Sequence, residues 1–280
     1  MNLPTIDLAA MRSAELRATN RRLAAYLQEM LGTSLATLHT SAEHLPPTIA
    51  IAGDVIARSA TVSHQDYSVL LLPHILLGVG WWNDPACQPL SAVLEASGLT
   101  QHERLALLAE RAVNERIRLE QQLPRMHEVA LGILGWREAT EDPTRLWHHL
   151  AYLMTLRGLP ETAHEDTYCL FETDACAHHA LPEIRHKQLN GNERLAHQHY
   201  RMRLPRPSDD LAKLTPLGRS QVLLHILLAI AFGRFFHVSP LFTSWVAPLD
   251  QLECPRERSR VVAGQLTTHL HALTQGQPDA

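Results

Sequence analysis

Residues Thr215–His237 read TPLGRSQVLLHILLAIAFGRFFH. From Val222 to Phe236 apolar side chains fall on every side of a helical wheel. A helix that is apolar all round is a buried helix. Thr215 suits the N-cap, and Pro216 suits the first turn, where a missing N–H costs nothing. Pro240, preceded by Ser239, is the expected stop. The rest of the chain is therefore expected to pack around this one segment.

Working outward, the composition points the same way. Only 5% of the 280 residues are aromatic, so Leu and Ala must build most of the core. Both are good helix formers, whereas Val, Ile, Tyr and Phe favour strands. The expected fold is all-α: a single compact multi-helix domain spanning 1–280, around a buried helix near 216–237. A candidate internal linker lies at 205–214, where Pro205 to Asp210 is the best stretch.

Local signals place about eleven helices. Leu8 to Met30 is amphipathic, and Gly32 ends it. Ser34 to His44 reads as a short helix, and Pro46-Pro47 breaks the chain. Thr48 to Ala60 fits either a buried strand or a helix containing Gly53; helix is preferred because no partner strand is evident. Ser63 to Gly80 is expected to be buried and bent at Pro73. Trp81 to Pro85 is a turn whose tryptophans serve as a packing plug. Thr100 and Glu103 form a capping box opening a helix to Leu123. Pro124 then opens another, to about Leu134.

Asp142-Pro143 reads as an N-cap followed by the first helical residue, with the helix running to Arg157. Pro160 to Leu181 is a further helix, and Pro182 restarts the chain. Between 183 and 204 two readings stand. One is two short helices separated at Asn190-Gly191-Asn192. The other is a β-hairpin, for which Asn-Gly is a strong signal. Arg256 to Leu273 is the last helix, with Val261, Val262, Leu266, Leu270 and Leu273 inward.

Charge excludes some functions. A net charge of −4 gives no general nucleic-acid footprint. One local basic region, Arg185 to Arg206, leaves nucleic acid as a minor expectation, with Tyr200 able to stack a base. Lys187 and Lys213 are the only lysines; with so much Arg, Ala, Leu and Pro, a GC-rich, bacterial coding sequence is expected. None of the four cysteines forms a CxxC pair. Cys169 and Cys176, if on one helix, lie about 10 Å apart, too far for a disulfide. A reduced, cytoplasmic chain is expected. No apolar run reaches the length of about 20 residues that a spanning helix needs, so a membrane role is disfavoured.

The 18 histidines are the compositional anomaly. The densest set of reactive side chains lies between Trp147 and Arg203. It contains two Glu-x-x-His pairs, Glu161/His164 and Glu183/His186, and residues three apart share a helical face. That spacing is used by four-helix di-iron carboxylate proteins. The likeness stops there, because the 18 residues between His164 and Glu183 cannot hold the further helix those proteins need. On a wheel Glu161, His164, Glu165, Tyr168, Glu172 and His179 form one stripe. Either they come inward and must be paired, protonated or metal-bound, or they form a solvated face. The doubled His148-His149 and His178-His179 point about 100° apart on a helix, so both rarely serve one metal. A lone core histidine such as His74 or His225 is expected to be hydrogen-bonded rather than reactive.

No P-loop, GxGxxG, GxSxG or HExxH is present. The first expectation is therefore a helical adaptor, accessory or immunity-type protein that engages a protein partner through a surface patch. The second is a metal-dependent enzyme with Glu161, His164, Glu183 and His186 as ligands to Fe, Mn or Zn, assisted by Glu165, Glu172 or His179.

Overall fold

The computed structural model describes residues 8–31, 42–59, 64–136, 143–184, 211 and 213–275. Among these, ten α-helices and no strand occur. They are α1 (Leu8–Leu31), α2 (Leu45–Ser59), α3 (His64–Leu77), α4 (Gln88–Leu94), α5 (Gln101–Leu134), α6 (Pro143–Arg157), α7 (His164–His178), α8 (Pro216–Phe232), α9 (Thr243–Asp250) and α10 (Pro255–Gln275). The all-α expectation holds. The segments 32–41 and 185–210 lie outside the described residues. With them go most of the expected helix at Ser34–His44, the helix-or-hairpin alternative, the basic region and most of the linker.

Thr215 caps α8 as its sequence suggests, its Oγ1 accepting from Gly218 N at 3.1 Å. Every residue from Val222 to Phe232 is buried. The helix packs against α7, α10, α6 and α5, so all of its faces meet protein. It does not run on to His237. Gly233 ends it with φ +99 and ψ 155, a conformation in which only glycine is unstrained. A Cβ there would also sit 3.1 Å from Leu77 O and 3.2 Å from Asp84 Oδ2. The chain then turns back through two 3-10 turns, Phe236–Val238 and Pro240–Phe242.

Other boundaries shift for physical reasons. α2 begins at Leu45, so Pro46 and Pro47 lie in its first turn instead of breaking the chain; first-turn N–H groups have no helical partner to lose. Gly53 is needed because the Tyr67 hydroxyl crosses α2 there, 2.1 Å from where a Cβ would stand. That hydroxyl donates to Asn20 Oδ1, tying α1 to α3.

The capping box is complete, with Glu103 N donating to Thr100 Oγ1 and Thr100 N to Glu103 Oε2. Pro124 does not start a new helix. α5 runs 34 residues straight through it. The missing hydrogen bond costs about 3 kcal/mol, but Leu119, Leu123, Met126, His127, Ala130 and Ile133 form one continuous buried face. Burying such side chains returns about 1.5–3 kcal/mol each, so packing wins.

One large core runs from Ala24 in α1 to Leu273 in α10. A smaller cluster under α4 is built on Leu77, Trp81, Cys87, Leu90 and Leu108, where Trp81 is the expected plug. No helix of the described residues is long and apolar enough to cross a membrane.

Candidate functional site

The geometry after Gly233 creates the candidate site. Arg234 N donates to Asp84 Oδ2, and the Arg234 guanidinium grips both oxygens of Asp174 on α7, at 2.6 and 3.0 Å. This clamp holds the returning chain against α7 and aims His237 back over the middle of α8. The His237 and His225 ring centres are 5.0 Å apart. In an unbroken helix the same residues would be separated by about 18 Å along the axis.

Two more histidines arrive from the end of α7. His178 is its last residue and His179 its C-cap. Ala180 follows at φ +50, and Leu181 N closes the turn on Cys176 O. A non-glycine residue in that conformation costs about 1–2 kcal/mol. His179 N still donates to Ala175 O, so the two residues remain helical neighbours and it is their side chains that lean together. The two rings lie 4.6 Å apart. His178 lies 4.5 Å from His237 and 5.7 Å from His225, and His179 lies 6.0 Å from His225.

These four rings line one small pocket with Gln221, Leu224, Phe236, Leu249, Asp250 and Arg258, among others. His225 Nε2 and His237 Nδ1 are buried and make no hydrogen bond among the described residues. Burial, with the neighbouring histidines adding to it, pushes His225 down to about 2. His179 falls to about 4 through burial, helped by His178, Arg258 and His237. His237 also falls to about 4, through burial and His178, although Asp174 opposes the shift. These three imidazoles are therefore neutral at pH 7 and keep a lone pair available. As the rings stand, no three His, Cys, Asp or Glu side chains among the described residues are arranged to hold a metal ion.

Arg258 is the pocket's buried charge, only 2% exposed. Its Nη1 donates to Leu249 O and, at 3.1 Å, to Leu252 O, capping the end of α9. Its Nε has no hydrogen-bond partner among the described residues; burial lowers its pKa and the nearby Asp250 opposes that shift.

The structure describes three of the four ligands expected from sequence. Glu161 is exposed on the 3-10 turn Glu161–Ala163 that precedes α7. His164 is buried, with Nε2 3.0 Å from Leu159 O. Glu183 is exposed, and His186 lies outside the described residues. Of the wheel stripe, His164, Tyr168 and Glu172 are buried. Tyr168 OH donates to Glu172 Oε1 at 2.9 Å, so that carboxylate is held inside by a hydrogen bond. Glu165 is half-buried. His74 behaves as a core histidine, its Nδ1 accepting from Gly80 N. His225 does not, because three other imidazoles surround it. Sequence reasoning missed His237 and Arg258 altogether. The glycine at 233, read as a helix end, is the one signal that would have returned His237 to His225. The chain matches no protein-family model, no curated protein and no solved structure.

Proposed function

We propose that this chain is a helical metalloprotein that binds one transition-metal ion at His178, His225 and His237, with His179 beside them. The convergence of four imidazoles on one pocket carries this reading. Three imidazoles around a tetrahedral zinc ion have ring centres about 5.2 Å apart, given metal–nitrogen bonds of about 2.0–2.1 Å. The three observed spacings, 4.5, 5.0 and 5.7 Å, straddle that value. A coordination sphere requires the rings to turn until three nitrogens converge, since no three ligands do so as they stand. An all-imidazole set suits Zn or Fe better than Mn, which prefers oxygen ligands. Three ligands with a pocket in front leave an open position, the pattern of metal sites that activate water or bind a substrate.

The interaction-protein alternative has less behind it. Among the described residues the exposed large apolar side chains are Tyr26, Val113, Ile117, Tyr152 and Val238, on four elements, with Val113 and Ile117 one turn apart on α5. One such pair and three isolated residues make no patch of the size that marks an interface.

Elemental analysis of tag-free protein, purified without chelator, tests the proposal. About one equivalent of Zn or Fe is expected, as for a single three-histidine site. His225→Ala and His237→Ala should lower it to background with far-UV circular dichroism unchanged. His164→Ala should leave it intact, which separates this site from the Glu161/His164/Glu183/His186 set. A folded wild-type protein that carries no metal and takes up none from added Zn(II) or Fe(II) would sink the proposal.

A further inference from the structure

We draw no further inference here: the strongest candidate, the surface ledge of Arg125, Trp136, Arg145 and Tyr152 where α5 meets α6, carries nothing, because Arg145 already stacks on Trp136 at 4.0 Å, Arg125 is already paired with Glu128 at 2.7 Å, and nothing in the structure shows what covers the ledge.

Discussion

At the scale of single residues, burial decides what His74 can do. It is fully enclosed, stacked edge-on against Trp82 at 4.7 Å, with Gly80 N donating to its Nδ1. Burial alone pushes it from 6.5 down to about 4. The unfolded chain therefore binds a proton between about pH 6.5 and 4 that the folded protein refuses. Stability from this group is full above pH 6.5 and is lost as pH falls toward 4, by up to about 3 kcal/mol. Urea midpoints across that window should fall less steeply in His74→Gln, whose amide oxygen can still accept from Gly80 N. An identical slope in both proteins would show that His74 is not part of the effect. The legible residues were those whose partners lie three positions away, such as Thr100 with Glu103 and Thr215 with Gly218. His237 was illegible because its partners sit on two other segments.

At the scale of elements, the end of α8 matters more than its middle. The sequence announced a buried helix, and Val222 to Phe232 is buried on every face. Its length was misjudged because hydrophobicity continues through Phe235 and Phe236 while the backbone does not. Pro124 misled in the opposite sense, since a residue that usually breaks helices sits inside one whose buried face needs no interruption. Gly233→Ala should cost about 1–3 kcal/mol from its backbone conformation, and more from the contact with Leu77 O and Asp84 Oδ2. It should also reduce bound metal, because His237 depends on that turn. Denaturant titration beside metal analysis checks both; an alanine variant as stable as wild type would refute the role given to Gly233.

At the scale of the whole molecule, a buried polar chain ties the elements together. Asp84, in the loop between α3 and α4, accepts from Ala86 N and Arg234 N and lies 3.7 Å from Arg157 at the end of α6. Arg234 in turn holds Asp174 on α7. Removing Asp84 alone leaves Arg157 buried and unpaired, so Asp84→Ala should cost about 3–5 kcal/mol. The double variant Asp84→Ala/Arg157→Met should be milder than that single one. A single variant within about 1 kcal/mol of wild type in denaturant titration would contradict the arrangement. None of this was legible beforehand, because helical periodicity carries no information about which loop meets which helix end.

The same long reach sets an order of events during synthesis. Asp84 and Arg234 are 150 residues apart, and His127 and His269, bonded at 2.9 Å across α5 and α10, are 142 apart. Such closures follow the local helices in time and slow folding below the usual pace of helical proteins. The pocket draws on residues from His178 to Arg258. A nascent chain that has not yet delivered Arg258 from the ribosome already carries His178, His225 and His237 but lacks one wall of the pocket, so the pocket closes only once α10 has been made.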